Sequence, residues 1–426
     1  MLLPYQHNHK DSERALLVGV QLPGQSRGEA QDSLEEFMNL SYSAGAYAVA
    51  IVSQDLKRID PATLLGSGKV EEIKQVIAEK DCELVLFDED LTATQHRNLE
   101  KILQKKVVDR TGLILDIFAQ RARTKEGKLQ VELAQNIYLL PRLVGQGIHM
   151  SRQTGGIGTR GPGETQLEVD RRRLREKITR IRRELESVKA SRQIHRAKRL
   201  SVPIPTISLV GYTNAGKSTL FHALTKADVL VEDKLFATLD PTVRRVRLPS
   251  GREILMSDTV GFIRKLPHAL VESFKATFEE IAGADLLLHV IDVSHPLKKE
   301  QIRMVHQVLR EIGLSKKHMI EVYNKIDLTG GSVKLEKGKI YVSANKRHNI
   351  DELLHTLDKV ISKGSKKVTV QVPYKDGSLV AFLHQHARIL SKSYGEEGLK
   401  IEVEVYEKYL PMLKAYKIKK PSSKSA

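Results

Sequence analysis

The sequence predicts an α/β protein made of an N-terminal α/β domain, a basic helical hairpin, a phosphate-loop nucleotide domain and a small C-terminal α+β domain. Three observations lead to this prediction. Strand and helix patterns alternate over the first 118 residues, positive charge is concentrated in the next 82, and a glycine-rich loop then separates a strand pattern from a helix pattern. The expected boundaries are 1–118, 119–200, 201–365 and 366–418, followed by a disordered tail over 419–426.

The N-terminal region has the alternating order of a parallel α/β domain. Strand patterns cover 15–22, 46–52, 83–87 and 107–109, and helical patterns cover 32–41, 69–79 and 94–104. Within it, Gly66-Ser67-Gly68-Lys69 is similar to part of a phosphate loop, but Val70 occupies the position of the metal-binding hydroxyl. We interpret this segment as a helix N-terminus, with a second nucleotide site as the alternative.

Composition indicates a multidomain cytoplasmic protein. The 426 residues are 41% apolar, which is enough to bury several cores, and the single cysteine, Cys82, excludes a disulfide framework. No signal peptide is evident at the N-terminus, and no run approaches the length of a membrane span. We expect a monomer without a membrane-spanning segment.

Residues 119–200 carry twenty Lys and Arg against eight Asp and Glu, out of a net charge of +17 for the chain. Helical patterns over 125–146 and 166–200 predict an antiparallel hairpin, whose joining loop, 153–164, has five glycines in nine residues. Such a tip can approach RNA closely, while flanking arginines bind phosphates. The alternative is a solvated helix pair with a flexible linker. The candidate RNA contacts are Arg152, Arg160, Arg171, Arg172 and Arg173.

A phosphate-binding loop follows the apolar run 204–210 and precedes a helical pattern. A polyphosphate requires backbone N–H donors at a helix start, a lysine for the β and γ oxygens and a hydroxyl for Mg²⁺. Lys217 and Ser218 supply the last two. The loop consists of Gly211, Tyr212, Thr213, Asn214, Ala215, Gly216, Lys217 and Ser218.

Three further segments, each after a strand pattern, indicate which nucleotide is bound. We expect Asp258 to hold a water of Mg²⁺, Gly261 to sense the γ-phosphate, and Asp327 to accept hydrogen bonds from guanine, with Asn324 on the opposite edge of the base. Adenine lacks this donor pair, so the domain is predicted to be a P-loop GTPase domain that binds GTP and GDP. The segments are Asp258-Thr259-Val260-Gly261, Asn324-Lys325-Ile326-Asp327 and Ser343-Ala344-Asn345, the last supporting the base through backbone N–H groups.

Catalysis is only partly visible in the sequence. Lys217 and the loop amides neutralise phosphoryl charge, and Gly261 positions the phosphate and water. Phe262 occupies the place where signalling GTPases carry a water-positioning glutamine, and its ring cannot hydrogen-bond water. We therefore expect slow intrinsic hydrolysis and activation by a partner.

The chain resembles the HflX family of ribosome-associated GTPases over nearly its whole length. The resemblance rests on Gly158–Glu168, Asp109–Phe118 and the phosphate loop, with Val169 as a small departure from the usual Thr. It implies GTP hydrolysis stimulated by the large ribosomal subunit, contact with its rRNA through the hairpin, and splitting or rescue of stalled ribosomes under stress. It also implies that Ser218 and Thr238 bind Mg²⁺. By the same resemblance, Thr238 lies in the segment Phe236-Ala237-Thr238-Leu239-Asp240, which borders the nucleotide.

Asn214 raises the question of a second cation. In some GTPases that lack the glutamine, an Asn at this loop position helps hold K⁺ beside the phosphates; alternatively, Asn214 braces its own loop.

The C-terminal region shows strand patterns over 368–372 and 399–405 and a helical pattern over 379–391, and we interpret it as an interaction module. Two other functional classes stay open for the whole protein, an RNA-remodelling ATPase or GTPase and a GTPase switch that acts on a protein partner.

Overall fold

The computed structural model describes residues 13–143, 166–200, 204–225, 235–265, 275–330, 336, 338–363, 365–406 and 409–416. The predicted glycine-rich loop with Arg152 and Arg160, and the predicted tail, lie outside these residues. The described chain forms two compact units. The first contains the described residues up to Val188 together with 235–240 and 263–265, and the second contains the remaining GTPase elements and the C-terminal region.

The first unit contains a four-stranded parallel sheet with strand order β2-β1-β3-β4, as the alternating pattern predicts. Its helix starts are encoded locally. Capping boxes at Ser26 and Thr92 begin α1 and α3 because their hydroxyls accept from the third helical N–H group. The elements are β1 Glu13–Gln21, α1 Arg27–Ala44, β2 Ala46–Asp55, α2 Ser67–Lys80, β3 Leu84–Phe87, α3 Ala93–Leu103, β4 Lys106–Asp109 and α4 Arg110–Arg121.

The segment at Gly66–Lys69 is a helix N-terminus, which confirms its interpretation. Gly66 is the N-cap of α2 and Val70 is buried in the core of the sheet. Lys69 makes an ion pair with Glu72 one turn along the helix, with Nζ 2.7 Å from the carboxylate. These contacts favour a structural role for the segment.

Two helices follow, α5 Lys125–Leu139 and α6 Gln166–Leu200. They pack through a small apolar cluster that includes Leu133 and Ile181, and α6 supplies four of its members. Glu132 and Lys177 form an ion pair across the contact at 2.8 Å. The middle region is therefore helical, as predicted.

Asp240 binds the N-terminus of α5 within the first unit. Its carboxylate accepts hydrogen bonds from the backbone N–H groups of Arg123 and Thr124, each at 2.8 Å, and from the Thr124 hydroxyl. Thr124 is itself the N-cap of α5 and accepts from Gly127 N–H at 2.9 Å. A negative charge at a helix N-terminus is stabilising, so Asp240 and Thr124 form one capping arrangement.

The second unit contains a six-stranded sheet with order β10-β9-β8-β5-β7-β6, parallel except for β6. Parallel strands buried on both faces require continuous apolar runs, and β8 is buried at all seven positions. The elements are β5 Thr206–Gly211, α7 Lys217–Thr225, β6 Thr242–Arg247, β7 Glu253–Asp258, α8 Lys275–Gly283, β8 Leu286–Asp292, α9 Lys298–Glu311, β9 Met319–Asn324, β10 Ile340–Tyr341 and α10 Ile350–Lys363.

The C-terminal region is a three-stranded antiparallel sheet, β11-β13-β12, packed against one helix. The predicted helix over 379–391 is wrong at its end, because α11 stops at His386 and residues from Arg388 form an edge strand paired with β13. Ladder bonds to β13 override the apolar spacing that suggested a helix. The elements are β11 Ser365–Val372, α11 Gly377–His386, β12 Arg388–Gly395, β13 Gly398–Tyr406 and α12 Leu410–Leu413.

Among the described helices, none has both the length and the apolar character needed to cross a bilayer.

The cap on α5 gives a stability prediction. A Cβ at Gly127 would lie 2.2 Å from Asp240 Oδ1, so Gly127→Ala should displace the cap. We expect a loss of about 1 to 2 kcal/mol, the usual value of a lost N-cap, measured by urea unfolding followed by circular dichroism. Gly28→Ala is the matched control, since it also lies in the first turn of a helix with open space around its Cβ position. It should be neutral or slightly stabilising; equal destabilisation by both variants would contradict the capping role.

Candidate nucleotide-binding site

Two residues of the phosphate loop must be glycine, because neighbouring atoms leave no room for a Cβ. Gly216 has a φ of +86°, and a Cβ there would lie 2.3 Å from Asn324 Nδ2. A Cβ at Gly211 would lie 2.4 Å from the carbonyl oxygen of Val290 on the neighbouring strand. The loop starts at the end of β5, and α7 begins at Lys217, so the helix N-terminus faces the loop as anion binding requires.

Lys217 is a buried cation. Its side chain is only 6% exposed, and Nζ donates to the carbonyl oxygen of Tyr212 at 2.7 Å. Burial lowers the pKa of Lys217 to about 8, while the nearby Asp258 carboxylate acts in the opposite direction. A polyphosphate beside Nζ would supply the negative charge that this buried ammonium lacks.

The donor set for Mg²⁺ is brought together in the second unit. Ser218 on α7 donates its hydroxyl to Asp258 Oδ2, at the end of β7, at 2.7 Å. Hard oxygen ligands of this kind, beside a phosphate loop, suit Mg²⁺, so these two residues fit the metal that P-loop GTPases generally use. Thr238, the other predicted ligand, belongs to the first unit, where its side chain is half-buried.

The segment after Asp258 packs directly on the phosphate loop. A Cβ at Gly261 would lie 2.8 Å from Lys217 Nζ, and Thr213 N–H donates to the carbonyl oxygen of Phe262 at 2.7 Å. The Phe262 ring is buried in an apolar cluster and stacks with Phe278, with ring centroids 6.3 Å apart. The side chain at the glutamine position thus belongs to the core.

Asn324 links three loops of the site. Its Nδ2 donates to the carbonyl oxygen of Ala215 at 3.0 Å, and its Oδ1 accepts from Ala344 N–H at 2.9 Å. Sequence reasoning missed this role, because the partners lie 109 and 20 residues away along the chain. One amide hydrogen and one lone pair are left for a base, so the predicted guanine contact stays a prediction.

The residues that are expected to contact the base lie at the same edge of the sheet. Asp327 Oδ1 is buried, and no described residue donates a hydrogen bond to it, which fits a carboxylate that reads the N–H groups of guanine. The backbone N–H groups of Ser343 and Ala344 already donate hydrogen bonds to other residues of the protein. Of the three backbone N–H groups that were predicted to support the base, only that of Asn345 therefore stays a candidate. Lys325 makes an ion pair with Asp292 at 2.9 Å.

The predicted segment Phe236–Asp240 is anchored within the first unit. Leu235 N–H donates to Ser43 Oγ at 3.1 Å, the Phe236 ring packs edge-on against Phe118 with centroids 4.7 Å apart, and Asp240 caps α5. The Asp240 carboxylate is therefore used in a contact that the sequence did not predict.

Residues directly after Phe262 are also anchored in the first unit. The carbonyl oxygen of Arg264 accepts from Arg110 at 3.4 Å, and Lys265 forms an ion pair with Glu89. Arg110 is buried and also binds the carboxylates of Asp88 and Glu36. In the sequence, Asp109 and Arg110 stand out only as part of the family resemblance. The ionic partners of Arg110 could not be predicted, because they are distant in the chain.

Comparison with known proteins assigns the family. Residues 31–119 match the family described as GTP-binding GTPase N-terminal, 121–199 match GTP-binding GTPase Middle Region, and 206–325 match 50S ribosome-binding GTPase. The protein named GTPase HflX from Caldanaerobacter subterraneus subsp. tengcongensis is 48% identical over 396 residues, covering 93% of this chain and 92% of its own. The chain belongs to the HflX family of GTPases. The resemblance seen in the sequence is confirmed, and the protein is a GTPase of this family.

A second relative agrees with this assignment. The protein named GTPase HflX from Escherichia coli K12 is 43% identical over 400 residues, covering 92% of this chain and 93% of its own. Among solved structures, a GTP-binding protein from Sulfolobus solfataricus in complex with GDP is 26% identical and covers 82% of this chain and 98% of its own, with a TM-score of 0.45.

The buried Oδ1 atom of Asp327 gives a specificity prediction. Asp327→Asn should weaken GTP binding roughly 10- to 100-fold and strengthen binding of xanthosine triphosphate, because its 2-oxo group requires a donor. Calorimetric titration with both nucleotides measures the effect. Asp351→Asn, the same change at an exposed position of α10, is the matched control and should bind GTP normally. Unaltered GTP affinity in Asp327→Asn would show that another group reads the base.

Proposed function

We propose that this GTPase acts on the large ribosomal subunit, contacts its rRNA through the basic hairpin, and splits or rescues stalled ribosomes under stress. The observation that carries the proposal is the arginine-rich helix α6, in a chain whose nucleotide domain matches the family described as 50S ribosome-binding GTPase. A strongly basic helix attracts the phosphates of RNA through charge neutralisation and counterion release. Its place of action would be the cytoplasm, where ribosomes are found.

The arginines of α6 differ in how well they suit an RNA contact. The Arg172 side chain is 56% exposed and that of Arg173 is 72% exposed, and each has an acidic neighbour on the same helix at 3.9 Å. Exposed ion pairs at this distance contribute little to stability, so a phosphate can compete with them for these exposed guanidinium groups. Arg171 has its Nε buried, which makes it the weakest of the three candidates.

The geometry also supports activation by a partner. Lys217 and the loop N–H groups hold charge on the transferring phosphoryl group, and Mg²⁺ bound through Ser218 would neutralise more of it. No hydrogen-bonding side chain is available at position 262, since the Phe262 ring lies in the core. A slow intrinsic rate that rises on the ribosome follows from this arrangement.

The two other functional classes are supported less well. An ATP-driven remodeller would need a second nucleotide site near Gly66–Lys69, where Lys69 is paired with Glu72 and Val70 is buried. A switch that acts on a protein partner would give no role to the basic helix α6.

We also propose that Asn214 helps hold a K⁺ ion. It has a φ of +57°, its side chain is exposed, and it makes no hydrogen bond to the described residues. The alternative role, bracing its own loop, is therefore not supported by a contact. A cation held there would add fixed positive charge beside the phosphates.

We predict that intrinsic GTP hydrolysis is several-fold faster in KCl than in NaCl at equal ionic strength, and that Asn214→Ala removes the difference. Phosphate release under single-turnover conditions measures the rate. GDP affinity of the variant serves as the control for an intact loop. A wild-type rate that is indifferent to the cation would exclude the K⁺ role.

The ribosomal proposal is tested by removing the hairpin tip. Replacing residues 151–165 by a short linker should leave GTP affinity within a few-fold, because no nucleotide motif lies there, and should abolish stimulation of hydrolysis by purified large subunits. Salt should weaken subunit binding steeply, as phosphate contacts require.

A charge reversal provides an independent version of this test. Arg172→Glu with Arg173→Glu should lower subunit affinity at least tenfold, measured by cosedimentation. Arg303→Glu with Arg310→Glu, on the exposed face of α9, makes the same charge change and should have little effect. The proposal would be contradicted if the linker variant kept its full stimulation and both charge variants lost the same subunit affinity. The basic charge would then attract the subunit only non-specifically.

A further inference from the structure

Three potential metal ligands meet on one face of the GTPase sheet, in a position that the nucleotide site does not use. His289 on β8 and Glu321 on β9 are paired in register, so their side chains lie side by side. His306, on α9, packs over them from the adjoining helix layer, with its ring edge-on to His289 at a centroid distance of 5.7 Å. No local sequence pattern indicates this cluster, because its members lie on three separate elements.

The ligand atoms of the three residues all lie within 4.8 Å of one another. His306 Nε2 is 3.9 Å from Glu321 Oε1. Tetrahedral Zn²⁺ with bonds of about 2.0 to 2.1 Å needs its ligand atoms roughly 3.3 Å apart. The His306 and Glu321 side chains are 44% and 35% exposed, so small rotations on the open side can close this gap.

His289 is the fixed member of the cluster. The residue is 1% exposed, and its Nδ1 is buried with no hydrogen-bond partner among the described residues. A buried ring nitrogen without a hydrogen-bond partner requires an explanation, and a bound ion beside the ring is one.

The Glu321 carboxylate is oriented by a hydrogen bond from a neighbouring side chain, as metal-binding carboxylates usually are. Its Oε2 accepts a hydrogen bond from the Tyr323 hydroxyl at 2.8 Å, which leaves Oε1 facing His306. A partner of this kind orients a ligand and typically changes metal affinity 10- to 100-fold when it is removed.

We propose that His289, His306 and Glu321 form a binding site for a transition-metal dication, with Zn²⁺ as the best fit. Two imidazoles and one carboxylate are the ligand types that Zn²⁺ accepts, and the exposed side of the cluster leaves a fourth position for water. Mg²⁺ prefers an octahedral set of oxygens, so this site is chemically distinct from the one at Ser218 and Asp258. A bound ion would tie α9 to the central strands of the sheet.

The test uses the full-length protein, freed of metals with a chelator and then saturated with GDP and Mg²⁺ so that the nucleotide site is filled. Titration with Co²⁺, a spectroscopic substitute for Zn²⁺, should show one equivalent bound with the visible absorption of a four-coordinate nitrogen and oxygen site. Zn²⁺ should displace it. Zn²⁺ should also raise the unfolding temperature of the wild type, because a ligand that binds only the folded state stabilises it.

Variants at the two exposed ligands keep the buried core intact. His306→Gln and Glu321→Gln should each weaken Co²⁺ binding at least tenfold and remove the thermal shift, while GDP affinity reports that the fold is preserved. Tyr323→Phe should weaken binding to a smaller extent. His355→Gln, at an exposed histidine on α10, is the matched control and should bind like the wild type. Co²⁺ binding that is absent in the wild type, or unchanged in both ligand variants, would overturn the proposal.

Discussion

The side-chain amide of Asn324 is the contact on which the nucleotide site depends. It occupies the space where a Cβ of Gly216 would be, donates to the phosphate loop at Ala215 and accepts from the loop at Ala344. Three loops that are distant in the chain are thereby fixed at the carboxyl edge of one sheet. The expected phosphate contacts and the expected base contacts both depend on this residue, so a change that loosens one loop is expected to loosen the others.

Close packing around the phosphate loop explains both its glycines and the lowered pKa of Lys217. Gly211, Gly216 and Gly261 each lie where a Cβ would be less than 3 Å from a neighbouring atom. The same crowding removes water from Lys217 and lowers its pKa. Among the described residues, the ammonium donates to the carbonyl oxygen of Tyr212 and has an acidic neighbour, Asp258. This arrangement is preorganised for a polyphosphate, since the desolvation has already occurred during folding.

The nucleotide motifs could be predicted from the sequence because their signals are local. A phosphate loop needs its glycines, lysine and hydroxyl within eight residues, and the buried strands around it appear as apolar runs. The strand at Arg388–Gly395 was not predicted, because an edge strand depends on a partner that the local pattern does not show.

The missed side-chain roles have a related cause. Each missed role depends on a partner at least 20 residues away in the chain. Asn324 bridges loops, Asp240 caps a helix, and Arg110 is the buried centre of an ionic cluster. Residue type alone leaves such roles open. An Asp after a motif is equally suited to a nucleotide contact and to a cap, and only the fold decides between them.

Phe262 fixes the segment after Asp258 against the phosphate loop. Its ring is locked in the core of the second unit, and its backbone bonds to the phosphate loop at Gly211 and Thr213. The ring cannot move without opening its core cluster, because protein interiors are close-packed. Gly261, directly before it, is therefore held where a Cβ would lie 2.8 Å from Lys217 Nζ and 2.9 Å from the Thr213 backbone.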